Sequence, residues 1–163
     1  MKQRNESELL HLAAGWCSSC ERCVSEVRKK LTEAGASPEV SERIITRLVE
    51  EKFMDEARFC RSFVKDRFRF NGWGRIRIRH ELQQKGIASR LIAEALDELD
   101  DETCRSALSN LLKTKKRTVK GRSEYDVFRK LYRFACGRGF EGALISSCLK
   151  PLFNETYSVD EEI

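Results

Sequence analysis

Three cysteines near the N-terminus have the spacing of a metal-binding segment. Cys17, Cys20 and Cys23 follow one another at intervals of three residues. A structural zinc site usually takes four ligands from two spaced pairs, and no second pair occurs in the sequence. We therefore predict that these thiols are reduced and hold no metal. They would then be buried small apolar residues, or thiols activated by the start of a helix.

Arginines interleaved with aromatic residues form a second group that could do chemistry. Between Phe68 and Arg79 the sequence alternates basic residues with aromatic and aliphatic ones. Guanidinium groups bind phosphates, and aromatic rings stack on unpaired bases. Phenylalanines at helical spacing are more often core residues, so Trp73 is the favoured candidate for stacking. The glycines on either side of Trp73 do not predict a phosphate-binding loop, because no strand precedes them.

Catalytic signatures do not occur in the sequence. It contains no recognisable Ser-His-Asp signature, no G-x-x-x-x-G-K-[ST] and no H-E-x-x-H. These motifs carry nucleophilic, phosphate-binding and zinc-dependent chemistry. We therefore expect a protein that is not an enzyme and that needs no cofactor.

Charge is strongly segregated along the chain, whose net charge is +5. Residues 58–90 hold ten Lys/Arg and two acids, and residues 105–139 hold eleven Lys/Arg and two acids. Between them, residues 91–104 hold six acids and no base. Such one-sided blocks favour a polyanionic partner, or an acidic protein surface, over a role in solvation alone.

The 163-residue chain has room for one ordinary domain or for several small modules. Charged residues make up 35% of it, which argues against a single thick core. No apolar run reaches the length of about 18 residues that a membrane span needs, and the N-terminus has no secretory signal. We therefore expect a cytoplasmic protein with no membrane partner, whose seven cysteines are reduced.

Apolar periodicity and capping residues predict nine helices. Ser18 and Glu21 fit a Ser-x-x-Glu capping box that would begin the second helix, and Gly35 would end it. The predicted helices span residues 6–16, 18–34, 38–52, 55–71, 75–85, 89–99, 101–114, 124–137 and 142–153. The apolar face of the fourth helix is expected to include Phe59, Phe63 and Phe70. A basic loop at 115–122 and a loose acidic tail at 155–163 complete the chain.

The stretch from Arg75 to Leu82 fits two secondary structures. It begins by alternating polar and apolar residues, which is a strand pattern. At helical spacing, its apolar residues share one face, and Gly86 lies where a helix would end. Two charge pairs one turn apart would join Arg77 with Glu81 and Glu81 with Lys85. The charge pairs and the glycine favour a helix.

The sequence contains an internal repeat with a period of about fifty residues. Helices are predicted to end at Gly35, Gly86 and Gly139, and an apolar pair follows each glycine in the next helix. Each unit would be three short helices, which bury too little surface alone and must stack on neighbours. We expect an all-α protein of three tandem three-helix repeats that form an elongated, curved molecule. The repeats would span residues 1–54, 55–100 and 101–154.

Two strings of residues in the second repeat have the order and spacing of a family pattern. The first string is Asp55-x-x-Arg58-Phe59-Cys60. The second and more specific string is Gly74-x-x-Arg77-Ile78-x-x-Glu81-Leu82-x-x-Lys85-Gly86-Ile87. Both resemble the RecX family, whose members are bacterial regulators of the RecA recombinase. Weaker similarity extends over the whole chain. Most of these residues have a structural interpretation, as core (Phe59, Ile78, Leu82) or as helix caps (Asp55, Gly86). The charged ones are either surface ion pairs or contacts to a partner.

The resemblance implies a fold of three tandem three-helix repeats. It further implies a protein that lodges in the groove of the RecA–single-stranded DNA filament and suppresses its growth, ATP turnover and strand exchange. Such a protein would act in DNA repair, homologous recombination and the SOS response. We expect it to be a monomer, and we keep double-stranded DNA as a further candidate ligand.

The basic segments from Arg67 to Arg79 and from Lys113 to Arg122 are predicted to line one concave side of the molecule. They would face DNA phosphates and acidic protomer surfaces. The residues predicted to contact DNA or protein are Arg67, Arg69, Trp73, Arg75, Arg77, Arg79, Lys85, Lys113, Lys115, Lys116, Arg117, Lys120 and Arg122. Because exposed charges add little stability, replacing Lys115, Lys116 and Arg117 by alanine is expected to leave melting nearly unchanged.

Three other functions fit parts of the sequence. A helical nucleic-acid-binding module without a protein partner needs only the basic blocks. A helical interaction scaffold unrelated to DNA needs only the repeats. A zinc or thiol redox protein would be built on the three cysteines. Salt-dependent DNA binding supports the first, its absence supports the second, and metal analysis tests the third.

Overall fold

The computed structural model describes residues 3–154 and 156–158. Within these residues the chain forms nine α-helices, a short 3-10 helix at Lys150–Leu152, and no strand, so the all-α prediction is confirmed. The helices are α1 Glu6–Ser19, α2 Val24–Glu33, α3 Pro38–Glu50, α4 Glu56–Asn71, α5 Arg75–Gln84, α6 Ser89–Leu96, α7 Asp101–Lys116, α8 Glu124–Gly137 and α9 Gly142–Leu149. None of these described helices is both long and apolar enough to cross a membrane.

Short polar side chains begin three helices where the sequence predicts them. The side chains of Ser37, Asp55 and Ser123 each accept a hydrogen bond from the amide of the third helical residue, at 3.2, 3.1 and 3.1 Å. Each bond satisfies one of the amides that a first helical turn leaves without a partner. Pro38 follows Ser37 as the first residue of α3, where its missing N–H is not needed.

The predicted capping box at Ser18 is wrong. Helix α1 continues through this position, and α2 begins only at Val24. The Ser18 hydroxyl donates to the Ala14 carbonyl at 2.9 Å, and the Ser19 hydroxyl donates to the Trp16 carbonyl at 2.8 Å. Serine hydroxyls can bond back to carbonyls of the preceding turn as readily as they cap a following one. The serines therefore lie in the last turn of α1.

The stretch from Arg75 to Leu82 is helical, as the glycine and the spacing of its apolar residues predict. Ile78 and Leu82 are both fully buried. The two charge pairs used in that prediction are not what holds the helix, because Arg77 and Lys85 make other contacts, described below. Burial of the apolar face, rather than pairing on the exposed face, accounts for α5.

Three equivalent turns repeat along the chain, after α2, α5 and α8. Gly35, Gly86 and Gly139 have φ of 94°, 77° and 89°, a left-handed conformation that favours glycine. In each turn the amide after the glycine donates to the carbonyl five residues earlier, at 2.9, 3.3 and 3.3 Å. The accepting carbonyls belong to three fully buried residues, Leu31, Leu82 and Ala135. This shared Schellman geometry supports the predicted internal repeat.

The chain divides into two compact units. The first comprises the described residues through Val64 together with Glu81–Ala95, and the second comprises Lys65–His80 and the described residues from Leu96 onward. Buried residues of the first core include Leu9, Ala13, Val27, Leu31, Ile44, Ile45, Leu48 and Met54. Those of the second include Leu108, Leu112, Phe128, Leu131, Ala135, Phe140, Ile145 and Leu149. The repeat boundaries at 54/55 and 100/101 stay a prediction.

Part of the tail that was expected to be loose is packed. The Tyr157 ring lies 5.5 Å from that of Phe128 and 5.9 Å from that of Phe153, between ring centres. Its hydroxyl donates to the carboxylate of Glu124 at 2.9 Å. An aromatic side chain at this position therefore extends the core of the second compact unit. The remaining tail residues, 155 and 159–163, lie outside the described residues.

Candidate nucleic-acid interface

The Gly72-Trp73-Gly74 turn packs against the turn that follows α8. The Gly74 amide donates to the Arg138 carbonyl at 2.7 Å, and the Ile76 amide donates to the Gly139 carbonyl at 2.9 Å. A methyl group added at Gly74 would lie 2.5 Å from that Gly139 oxygen. Glycine is needed here because two backbones approach closely. The turn is thus a packing feature of the second compact unit.

Two arginines hold the ends of helices at this junction. Arg138 donates to the carbonyl of Asn71, the last residue of α4, at 2.6 Å. Arg77 donates to the carbonyl of Gly137, the last residue of α8, at 3.3 Å. Terminal carbonyls lack partners within their own helix and carry partial negative charge. The Arg77 guanidinium, predicted to contact DNA, is therefore engaged within the second compact unit.

Trp73 is half-buried beside two arginines. The guanidinium carbon of Arg77 lies 4.2 Å from the indole centre, and that of Arg67 lies 5.4 Å from it. Both distances are within the range of cation–π contacts. The partial burial of Trp73 limits how much of its indole face a base could reach. The geometry therefore does not favour Trp73 as the stacking residue.

Arg75 is an internal ion-pair residue. Its side chain is 19% exposed, and it lies 3.0 Å from a carboxylate oxygen of Asp101 and 3.8 Å from one of Glu141. It also donates to the carbonyl of Leu99. These acceptors satisfy the fork of the guanidinium within the second compact unit. A phosphate bound to Arg75 would compete with two carboxylates.

Lys85 belongs to the first compact unit and is half-buried. Its ammonium lies 3.7 Å from a carboxylate oxygen of Glu26 and 5.8 Å from the centre of the Phe63 ring. Its carbonyl accepts a hydrogen bond from the Ser25 hydroxyl at 2.7 Å. That contact brings the neighbouring Glu26 within reach, so Lys85 pairs with it instead of with Glu81.

Lys115 and Lys116, at the end of α7, are half-buried rather than exposed. The Lys116 ammonium donates to the Leu152 carbonyl and lies 4.4 Å from the Phe153 ring centre. The Lys115 ammonium lies 5.0 Å from the centre of the Phe134 ring. The expectation that both are exposed charges is therefore wrong. The contacts predict that both contribute to stability. Their stems pack on aromatic residues of the second core, as long basic side chains often do.

The basic loop after α7 folds back onto α8. The Lys130 ammonium donates to the Lys120 carbonyl at 2.6 Å, and the Arg122 amide donates to an Asp126 carboxylate oxygen at 3.0 Å. The hydrogen bond from that amide lowers the pKa of Asp126. A methyl group at Gly121 would lie 2.8 Å from a side-chain carbon of α8, so the loop runs close to the helix. The backbone of the loop is held while its basic side chains extend outward.

Six of the predicted contact residues keep exposed side chains in the second compact unit. They are Arg69, Arg79, Lys113, Arg117, Lys120 and Arg122. Helix α8 adds exposed Arg129 and Arg133, which were not among the predicted contact residues, whereas exposed Lys130 is engaged by the Lys120 carbonyl and Asp126. The spacing of Arg129 and Arg133, four residues apart on one helix face, is the signal that could have identified them. Among the described residues, none of these cations except Lys130 has a side-chain hydrogen bond or an ion pair, so an anion can bind to the others without competing with a carboxylate or a carbonyl.

A groove of about 300 Å³ lies beside the end of α4 in the second compact unit. Its lining residues come from α4 and the turn after it, from α7, and from the turn after α8: Phe68, Arg69, Gly72, Ala107, Asn110, Leu111, Thr114 and Phe140. Of these, Arg69 was a predicted contact residue. The α7 residues Ala107, Asn110, Leu111 and Thr114 follow helical spacing and form a single stripe. The polar residues Asn110 and Thr114 are exposed.

Phe70 was expected on the apolar face of α4 and is instead 77% exposed. Phe59, eleven residues earlier on the same stripe, is 5% exposed, and Phe63 is half-buried. The stripe therefore leaves the core before α4 ends. The guanidinium carbon of Arg69 lies 5.7 Å from the Phe70 ring centre.

The three N-terminal cysteines lie in different environments. Cys17 is half-buried in α1, Cys20 follows the end of α1 and is exposed, and Cys23 is buried directly before α2. Burial raises the pKa of the Cys17 and Cys23 thiols, which argues against activation by the start of α2. Among the residues described, no group of three or more His, Cys, Asp or Glu is arranged to hold a metal ion.

Comparison with known proteins finds a family model and several relatives that carry the same name, RecX. The family model "RecX, second three-helix domain" matches residues 55–96. A regulatory protein RecX of Prosthecochloris aestuarii is 32% identical over 93% of this chain and 98% of its own length. Another, from Lactobacillus johnsonii, is 37% identical over 62% of this chain and 37% of its own length.

A crystal structure of RecX from Lactobacillus salivarius has the same fold, with a TM-score of 0.80, over 90% of this chain and 96% of that one. Its sequence identity is 20%, so this similarity concerns the fold. A second crystal structure of a regulatory protein RecX gives a TM-score of 0.78 over 87% of this chain and 73% of that one. Since the identity to the Prosthecochloris relative extends over nearly both full lengths, the chain belongs to the RecX family of regulatory proteins.

Proposed function

We propose that this protein regulates the RecA recombinase by binding to the RecA–single-stranded DNA filament and reducing its ATPase and recombinase activity. The observation that carries the proposal is the similarity to regulatory proteins RecX over 93% of the chain. The family strings in and beside α4 and α5 resemble regulators of RecA and support RecA as the target. The protein would act in the cytoplasm, as a monomer and without catalysis of its own.

The distribution of exposed cations supports a filament as the target. A recombinase filament presents DNA phosphates and acidic side chains, and exposed Lys and Arg bind both. In the second compact unit such cations extend from α4 and α5 (Arg69, Arg79), from α7 and the loop after it (Lys113, Arg117, Lys120, Arg122), and from α8 (Arg129, Arg133). We propose this set as the contact surface. It replaces the predicted residues whose charges are engaged inside the fold.

The test is the ATPase of RecA on single-stranded DNA, measured as this protein is titrated in at about 0.15 M salt. We expect a dose-dependent fall in ATP turnover and co-sedimentation of the protein with the filament. The variant Arg117→Ala/Lys120→Ala/Arg122→Ala, which truncates three cations of the proposed surface, should inhibit less than the parent. Its matched control replaces three exposed cations of the first compact unit, Arg4, Lys29 and Arg90, by alanine and so removes the same charge elsewhere.

Two outcomes contradict the proposal. Tight, salt-dependent binding to bare DNA with no effect on the RecA ATPase indicates a nucleic-acid-binding module that acts without RecA. No binding to either DNA or filament indicates a helical scaffold for another partner. In both cases the family membership stands and the proposed activity does not.

A further inference from the structure

Among the described residues, Phe70 is the most exposed large apolar side chain. It is 77% exposed, whereas Val49, Phe53, Ile76 and Tyr125 are between 37% and 49% exposed. It lies in the last turn of α4, one residue before the helix ends at Asn71. A ring this exposed contributes little to folding, because apolar stabilisation follows the area removed from water. Isolated exposed apolar residues are common, so the surroundings decide whether this one binds something.

Arg69 connects the Phe70 ring to the groove beside α4. Its guanidinium carbon lies 5.7 Å from the Phe70 ring centre, and the same residue lines the groove. A ring with a guanidinium next to it presents an apolar face and a positive charge at one place. Proteins that bind single-stranded nucleic acids combine these two features, with bases on aromatic rings and phosphates on cations.

The groove has the chemistry of a base-binding cleft. Its only charged lining residue is Arg69, and none of its lining residues is acidic. Phe68 and Phe140 supply apolar surface, while the Asn110 amide and the Thr114 hydroxyl can exchange hydrogen bonds with base edges. Its volume of about 300 Å³ is at the lower end of the range of ligand clefts.

The charge around the groove matches a polyanion. Lys65–His80 contains six Lys/Arg and one acid, Asp66. On α7, Lys113 precedes the groove residue Thr114. Arg117 follows Thr114 by three residues and is the C-cap residue of α7. Both cations are exposed.

We propose that Phe70, Arg69 and the adjoining groove bind unpaired nucleotides of single-stranded DNA. One base stacks on the Phe70 ring, Arg69 binds the phosphate beside it, and a neighbouring base enters the groove next to Thr114. The proposal rests on the proposed function only in its choice of single-stranded DNA as the ligand. Paired bases in a duplex cannot offer a free face to the ring, so the site discriminates against double-stranded DNA.

The test measures binding of the purified protein to a fluorescently labelled oligo-dT strand, without RecA. Phe70→Leu keeps an apolar side chain but removes the ring, and its affinity should fall about 5- to 100-fold, as for loss of one stacked base. Phe70→Trp should retain binding. Ile76→Ala, which removes a 49% exposed apolar side chain of the same compact unit, is the matched control and should bind like the parent.

A second readout separates stacking from general apolar contact. A strand that contains 2-aminopurine should lose fluorescence when it binds the parent and Phe70→Trp, and should lose little with Phe70→Leu. Thr114→Phe fills the groove from an exposed position on α7 and should also weaken binding. Arg69→Ala should reduce the slope of log affinity against log salt by about 0.7, the value for one phosphate contact on a single strand.

Three results overturn the proposal: no measurable binding of the parent to oligo-dT at low salt, equal affinity of the parent and Phe70→Leu, or equal affinity for a duplex of the same length. If Phe70→Leu binds oligo-dT normally but inhibits the RecA ATPase less than the parent, the ring contacts a protein and the base-stacking site is wrong. A different pair of results would support the site and contradict the proposed function. In that case Phe70→Leu loses oligo-dT binding, and the parent protein has no effect on the RecA ATPase.

Discussion

Removing charge from the basic loop should separate binding from stability. The variant Arg117→Ala/Lys120→Ala/Arg122→Ala truncates three exposed side chains, while the loop contacts are made by backbone groups of Lys120 and Arg122 and remain. The comparison variant is Lys115→Ala/Lys116→Ala, which removes neighbouring charges that are engaged within the fold. The first variant should lose binding, and the second should lose stability.

The stability difference follows from the contacts of the two lysines. Lys116 makes one charged hydrogen bond and one ring contact, and Lys115 makes one ring contact. Such hydrogen bonds contribute about 1.5–3 kcal/mol and exposed cation–π contacts about 0.5–1 kcal/mol. Because both side chains are half-exposed, we expect a total loss of about 2 kcal/mol, which lowers Tm by about 4–8 °C in a chain of this size. The loop variant should melt within about 1–2 °C of the parent, since exposed charges contribute little.

The binding difference can be worked out from counterion release. If each of the three loop side chains contacts one phosphate, the slope of log affinity against log salt falls by about 2.1 in the loop variant. Between about 50 and 200 mM salt, the parent should then lose about 18-fold more affinity than the variant does. The assay is anisotropy of a labelled single strand at several salt concentrations, repeated with RecA filaments in a co-sedimentation format.

One pair of results would refute this reasoning. If the loop variant keeps the parental salt slope and inhibits the RecA ATPase equally well, the loop is a solvated surface. If Lys115→Ala/Lys116→Ala melts like the parent, the contacts to Leu152, Phe153 and Phe134 do not contribute as their geometry indicates. The control that removes Arg4, Lys29 and Arg90 should leave both the slope and the melting temperature nearly unchanged.

Three further predictions follow from close contacts and burial. Gly74→Ala should lower the free energy of unfolding by about 1–3 kcal/mol, because the added methyl would lie 2.5 Å from the Gly139 oxygen. Gly15→Ala should instead raise the free energy of unfolding by about 0.5–1 kcal/mol, because Gly15 lies within α1 and has open space beside it. Urea titrations measure both changes. Iodoacetamide should label exposed Cys20 and Cys136 in the native protein and buried Cys60 only after unfolding, as peptide mass spectrometry would show; rapid native labelling of Cys60 contradicts its burial. Burial raises the pKa of Cys60 from 9.0 to about 11, so the unfolded thiol ionises first as pH rises and the free energy of unfolding should fall over that interval. Cys60→Ala should reduce this fall, and an unchanged pH dependence would show that Cys60 does not cause it.

Local rules account for what could be predicted from the sequence. The turns at Gly35, Gly86 and Gly139 were predictable because a left-handed residue after a helix favours glycine wherever the helix packs. The same holds for caps such as Ser37, whose side chain needs only an amide three residues away. Helix α5 was predictable because two apolar residues one turn apart require a helix to share a buried face.

Long-range contacts explain most of what the sequence could not predict. Arg138 reaches the Asn71 carbonyl across 67 positions, and Lys116 reaches the Leu152 carbonyl across 36. Nothing in the local pattern of a basic segment tells which of its cations will meet such an acceptor. Phe70 was predicted to be buried and is exposed, which is the reverse of what happened at the engaged cations. Its helical spacing predicts a core residue, but the apolar stripe leaves the core before α4 ends.

The engaged and the exposed cations also differ in how salt should act on them. Arg77, Arg138 and Lys116 donate to backbone carbonyls at short range inside the second compact unit, where screening by mobile ions is weak. Arg117, Lys120 and Arg122 extend into solvent, where added ions compete directly with phosphates. Salt should therefore weaken the proposed DNA contacts well before it loosens the fold. The two basic blocks in the sequence thus combine residues that hold helix ends together with residues that are free to bind an anion, and only the second kind can carry a salt-sensitive regulatory contact.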